Sequence, residues 1–186
     1  MENYISTYTN RKINPVQPVA EDIIIEDIAH SLSLMTRANG HLSHFYSVAQ
    51  HTINCYNEAK ARGYSKRVQL GCILHDASES YISDITRPVK RQLVEYYAIE
   101  ERLQKMIYEK FGLIDITEEE QQLIKTVDDA LLYYEFIELM GISPSEEEAP
   151  EMKMEHDFSL RDFNEVEYEF LYIFNQLTNE KRRKDG

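Results

Sequence analysis

Between residues 68 and 76 the chain passes from Val68, Leu70, Cys72, Ile73 and Leu74 directly into His75 and Asp76. The apolar positions mark a segment entering a core, so an imidazole and a carboxylate are carried inward with it. Burying that carboxylate is costly unless something cationic compensates it. A divalent metal is the simplest compensation, because a neutral imidazole nitrogen and a carboxylate oxygen both ligate such ions. The alternative is an exposed His-Asp pair on a helix surface. A metal reading therefore requires further ligands elsewhere in the chain.

Helical periodicity supplies the places to look. Residues 1–20, with Asn14-Pro15 and Gln17-Pro18, read as an extended arm that Tyr4 and Tyr8 can pin to the body. Ile23, Ile24, Ile28, Leu32 and Met35 predict a first helix from about Ala20 to the Ala38-Asn39-Gly40 stop. A second is capped by Ser43 and turns Phe45, Val48, Ala49, Thr52, Ile53 and Tyr56 inward before Gly63 ends it. His51 lies one turn after Val48 and one turn before Cys55, which points it at the core or its edge. Ser65 caps a third helix that runs through Glu79, so His75, Asp76 and Glu79 project toward common space. A fourth starts at Arg87-Pro88 and ends at Gly112, and a fifth runs from the Thr117/Glu120 capping box to Gly141.

On the fifth helix, Asp128 is four residues after Ile124 and three before Leu131, so it shares their apolar face. Asp129 is rotated away by about one hundred degrees and reads as a solvated carboxylate. Residues 143–158 are acidic and proline-containing, a surface excursion with no catalytic role. Ser159 to Leu177 forms a last amphipathic helix, followed by a basic tail at residues 179–186. The expected fold is all-α, a single domain of about six main helices.

A formal net charge of −13 argues against a surface for duplex nucleic acid. No apolar run reaches the roughly 18 residues of a membrane span, and the N-terminus lacks the regions of a signal peptide. A cytoplasmic protein is the expectation, with Cys55 and Cys72 as buried free thiols outside any metal-ligand spacing.

The candidate ligands are then His51, His75, Asp76 and Asp128, drawn from three helices. Two imidazoles and two carboxylates leave positions open on an octahedral ion for water and a phosphate oxygen. This H…HD…D order resembles the HD-domain phosphohydrolase superfamily. HDASESYISDITRPVK, YSVAQHT and IKTVDDALLYYE resemble the corresponding stretches of bacterial 5'-deoxynucleotidases over roughly residues 30–140. The chain departs from that family in carrying Ser83 where glycine is common, and in a shorter segment from Arg37 to His51 with no tryptophan after the arginine.

The resemblance implies an HD-type bundle holding one divalent cation (Co, Mn, Fe, Ni, Zn or Mg) through His51, His75, Asp76 and Asp128. It implies that Glu79 acts with the attacking water and that Arg37 together with Asp84 completes the substrate site; Arg37 suits phosphate oxygens, Lys90 adds a point charge, and Asp84 serves either the leaving 5' oxygen or Arg87 or a substrate hydroxyl. The implied reaction removes the 5'-phosphate of (deoxy)nucleoside monophosphates, and relatives suggest a homodimer. Rival expectations are triphosphate release from deoxynucleoside triphosphates, or a non-catalytic nucleotide-sensing module. The few cations near the motifs, Arg37, Arg87, Lys90 and Arg91, favour a single phosphate. His30 reads as a structural or rim residue, and His41 and His44 as water-exposed.

Overall fold

The computed structural model describes residues 3–146 and 148–182, with side chains through Asn179. Glu147 of the acidic excursion and residues 183–186 of the basic tail lie outside the described residues. Six helices of nine or more residues dominate: α1 (Ile25–Leu34), α2 (Val48–Ala61), α3 (Lys66–Leu74), α6 (Val94–Lys110), α7 (Glu118–Glu135) and α8 (Phe163–Arg182). Two single-turn helices, α4 (Glu79–Ile82) and α5 (Arg87–Lys90), join them. No described helix is long and apolar enough to cross a membrane.

The N-terminal arm is not structureless. Strands β1 (Ile5–Ser6) and β2 (Lys12–Ile13) pair antiparallel, with Ile5 opposite Ile13. Ile13 is fully buried, and Thr9 donates from its backbone N and its hydroxyl to the buried Asp27 carboxylate at 2.6 and 2.9 Å. Tyr8 stacks on His30 at 3.7 Å between ring centroids, while Tyr4 instead lies under the Lys12 ammonium.

The first helix starts and stops inside its predicted limits. Residues 20–22 form a 3-10 turn and Ile24 is extended. At the far end the backbone pairs across to the next element: Thr36 bridges Ser47, Arg37 N donates to Tyr46 O, and Val48 N donates to Met35 O. That pairing replaces the last helical turns and turns Ser47, not Ser43, into the cap of α2, its hydroxyl accepting from Gln50 N. It also brings Arg37 alongside the start of α2.

The third helix breaks after Leu74, earlier than its periodicity predicts. Residues 75–78 keep helical dihedrals at both ends, but the bonds tighten to the 3-10 pattern, Ala77 N to Leu74 O and Glu79 N to Asp76 O. Gln104 of α6 satisfies the freed groups, donating to Leu74 O and accepting from Ser78 N. The expected fourth helix is likewise two, α5 and α6, broken at Leu93. The last begins at Phe163, where the Asp162 carboxylate accepts from Asn164 N.

The main core joins α1, α2, α3, α6 and α8 through residues such as Leu32, Ile53, Ile73, Ile107 and Phe170. A second cluster, with Cys55, Cys72, Ile124, Val127 and Leu131, fixes α7 against α2 and α3. Within it Gly71 permits a close approach: a methyl added there would sit 2.2 Å from Ile124 Cδ1.

The 143–158 excursion is tied down by a group the sequence reading passed over. Glu58 of α2 is fully buried and accepts from Arg62 Nε at 2.7 Å, Lys153 N at 3.0 Å and His156 Nε2 at 3.0 Å. Met152 and Phe158 pack on the second core cluster. Burial opposes the Glu58 charge, but Arg62, His156 and Lys153 hold its carboxyl below the usual range. A depressed value gives stability that is complete above the unfolded-chain pKa and is lost as pH falls through the folded one. Glu58→Ala is expected to cost about 3 kcal/mol at neutral pH, with a smaller deficit below about pH 4, as read from urea midpoints across that range.

Candidate metal centre

His51 projects from α2, His75 and Asp76 from the turn after α3, and Asp128 from the inward stripe of α7, and the four side chains meet. His51 is fully buried. Its Nε2 lies 3.2 Å from His75 Nε2, 3.1 Å from Asp128 Oδ1 and 3.8 Å from Asp76 Oδ2. His75 Nε2 is 3.3 Å from Asp76 Oδ2 and 3.7 Å from Asp128 Oδ1. Asp129 faces outward and pairs with Lys125.

The second nitrogen of each ring decides the chemistry. His51 Nδ1 is 2.6 Å from Glu135 Oε1, and His75 Nδ1 is 2.8 Å from the Cys72 carbonyl. A carboxylate and a carbonyl only accept, so each Nδ1 carries the proton and each neutral ring presents its Nε2 lone pair to the centre. Two lone pairs 3.2 Å apart, flanked by two carboxylates, repel unless a positive charge lies among them. The donor set therefore fits a cation.

The protein's own charges reflect the same demand. Burial and Arg37 disfavour a charged His51, yet Cys55, Glu135 and Asp128 together push its pKa well above the usual value. His75 is raised against burial by Asp76 and Asp128. Burial also opposes the Asp128 charge, but His51 and His75 hold its carboxyl well below the carboxylate range.

Cys55 stands closer to this centre than its sequence setting suggests. His51 and Cys55 are one turn apart on α2, with Cys55 Sγ 3.5 Å from His51 Nε2. His51, Cys55 and His75 form a buried group that could hold a metal ion, with one ligand atom from each within 4.8 Å of the others. Burial pushes the Cys55 thiol up to about 11, against the opposing pull of His51.

Arg37 reaches the cluster from outside, with Nη1 3.1 Å from Asp76 Oδ2 and Nη2 3.2 Å from Glu135 Oε2. It thus has a second occupation besides the phosphate contact expected of it. Glu79 is buried, and its Oε2 makes no hydrogen bond among the described residues. Burial, then Asp76 and Asp84, push its carboxyl well above the usual range. Asp84 is partly buried and raised by burial and Asp76, opposed by Arg37 and Lys90. Lys90 pairs with Glu100 and lies over the Tyr96 and Tyr97 rings. His44 is not simply exposed: its Nε2 is 2.8 Å from the Phe158 carbonyl. His30 bonds Glu167 at 2.9 Å.

His75 and Asp128 border a cleft of about 770 Å³ between α5, α6 and α7. Arg87, Lys90 and Arg91 line it, and so do Lys105 and Lys125, which the count of cations near the motifs left out. Lys105 faces Glu109 at 3.9 Å and Lys125 pairs with Asp129, so both arrive partly neutralised.

Ser83 closes α4 at φ 76° and ψ 153°, a region that costs a residue with a Cβ about 1–3 kcal/mol. Tyr96 donates to its carbonyl at 2.6 Å and holds it there. Ser83→Gly is expected to raise stability by about 1 kcal/mol, seen as a higher melting temperature.

Glu135 carries no weight in the sequence reading, although it lies seven residues after Asp128 and four after Leu131, on the inward face. That spacing is the signal that identifies it. Burial opposes its charge, and Arg37 and His51 hold its carboxyl below the usual range.

The structure defines the class of protein coarsely, as a helical bundle with a buried group able to hold a metal. No family model matches the chain. Over 111 residues it is 40% identical to the uncharacterized protein YfdR of Escherichia coli K12, a match spanning 60% of either chain. Over 145 residues it is 32% identical to the uncharacterized protein RCAP_rcc00048 of Rhodobacter capsulatus, covering 74% of each. At that identity and coverage the chain belongs to the same family as the Rhodobacter capsulatus protein.

Proposed function

We propose that this protein is a metal-dependent phosphohydrolase of the HD-domain class that removes the 5'-phosphate from deoxynucleoside monophosphates. The observation that carries this reading is the convergence of two imidazole lone pairs and two carboxylates beside a buried, unpartnered Glu79 oxygen. A divalent ion held by His51, His75, Asp76 and Asp128 supplies Lewis acidity for a phosphoryl oxygen and acidifies water. Glu79, buried beside Asp76 with one oxygen unpaired among the described residues, is placed to take the proton of the attacking water. Arg37 keeps three of its N–H groups for phosphate oxygens after binding Asp76 and Glu135. Lys90 adds a point charge, and Asp84 assists the leaving 5' oxygen.

The rival substrate is a deoxynucleoside triphosphate, which Lys105 and Lys125 on the cleft wall would suit. Glu101, Glu109 and Asp115 share that wall, so positive charge does not accumulate there, and a single phosphate is favoured. Mono- and triphosphates offered with a panel of divalent ions separate the readings. Orthophosphate and nucleoside are expected from monophosphates. Triphosphate release would move the assignment to the rival, and no product with any ion would leave a non-catalytic module.

A further inference from the structure

The His51 imidazole and the Arg37 guanidinium come from different elements and share one partner. Glu135 Oε1 lies 2.6 Å from His51 Nδ1, and Glu135 Oε2 lies 3.2 Å from Arg37 Nη2. Glu135 is 4% exposed and His51 0%, so little water reaches either bond. Both partners donate: arginine has N–H groups and no acceptor, and His51 Nδ1 carries its proton because Nε2 faces the centre. The position between them therefore needs an acceptor at two points. An ionised carboxylate supplies both, whereas one end of an amide would itself donate. Reach matters as well. Glu135 stands seven residues after Asp128 on the same stripe of α7, and helical side chains lean toward the N-terminus. The two acids thus bracket one imidazole, with Asp128 Oδ1 3.1 Å from its Nε2. His75 is held differently, its Nδ1 meeting the backbone carbonyl of Cys72 at 2.8 Å.

We propose that Glu135 is a positioning residue of this centre, whose two oxygens set the His51 ring toward the metal and the Arg37 guanidinium toward the phosphate. The assignment rests on the metal-dependent reading above and extends it to a side chain that meets neither ion nor substrate. His51 needs the support because an imidazole turns about its own bonds, and a charged acceptor on Nδ1 fixes the ring and makes Nε2 the better ligand. Arg37 needs it because a guanidinium recognises phosphate through the direction of its N–H groups. Its Nη1 is also 3.1 Å from Asp76 Oδ2, so a run of contacts leads from Asp76 through Arg37 and Glu135 to His51. Glu135 takes no coordination position, so those open to water and phosphate stay open.

The test uses the full chain as wild type, as Glu135→Gln, which can keep one of the two bonds, and as Glu135→Leu, which keeps neither. Zn²⁺ affinity is measured by competition with a chelator in the absence of substrate, and KM for a deoxynucleoside monophosphate at saturating metal. Glu135→Leu is expected to bind Zn²⁺ roughly 10-fold to 100-fold more weakly. Its KM is expected to rise about 10-fold, the effect of one lost hydrogen bond to a charged group. Glu135→Gln is expected to show at least one of the two losses. Wild-type affinity and KM in both variants, whatever their stability in urea, would make Glu135 a counter-charge for Arg37 and overturn the proposal. Proton NMR of the Zn²⁺-loaded wild type gives a reading that needs no variant to fold. The exchangeable Nδ1–H of His51 is expected farther downfield than that of His75, because its acceptor is charged and nearer. The reverse order, or no such His51 proton, overturns the proposal in a protein that still binds metal and releases phosphate. A wild type that binds no divalent ion removes the metal-dependent reading, and the proposal falls with it.

Discussion

Glu79→Gln is expected to leave divalent-ion binding at the wild-type level and to lower monophosphate turnover by about 100-fold to 10,000-fold. The amide keeps the shape of the carboxyl but cannot accept a proton. Folding should barely change, because Glu79 is buried with one oxygen free of hydrogen bonds and an environment that already favours its neutral form. Single-turnover measurements at saturating substrate isolate the chemical step. Wild-type turnover in this variant would remove Glu79 from catalysis and require another base near Asp76.

Arg37→Met is expected to destabilise the metal-stripped protein by roughly 3–5 kcal/mol. The guanidinium is the cation between Asp76 and Glu135, and Glu135 in turn holds His51 by its Nδ1. Its loss leaves two poorly solvated carboxylates facing one another with only imidazoles to balance them. Added Zn²⁺ or Co²⁺ should recover part of the deficit, since the ion restores positive charge at the same cluster. Urea denaturation with and without metal measures both effects. A loss below about 1 kcal/mol would mean that water reaches Glu135 and that the pair is effectively a surface one.

Where sequence and structure part company, the cause is usually a contact from far along the chain. The phase of the α7 stripe separates Asp128 from Asp129 because periodicity along one helix is a local property. The end of α3 is not local: its backbone groups are released at Leu74 because Gln104, thirty residues on, takes them over. Ser43 and Ser47 are both reasonable caps as sequence, and the Thr36–Ser47 bridge from the preceding element decides for Ser47. His156 sits in a polar, acidic stretch with no periodic signal, and only its buried contact with Glu58 gives it meaning. Periodicity gives Cys55 and Cys72 the same place in the core, and what separates them is the distance to one imidazole nitrogen.

Gly71 of α3 packs against the Ile124 side chain of α7, and four residues beyond each lie His75 and Asp128. The approach of the segments that carry this imidazole and this acid is therefore set in part, one turn away, by a residue with no side chain at all. Exchanging glycine for alanine within a helix ordinarily strengthens it by limiting the unfolded chain. At this position the same exchange would set a methyl 2.2 Å from Ile124 Cδ1, so the gain is offset by whatever it takes to turn the Ile124 side chain aside.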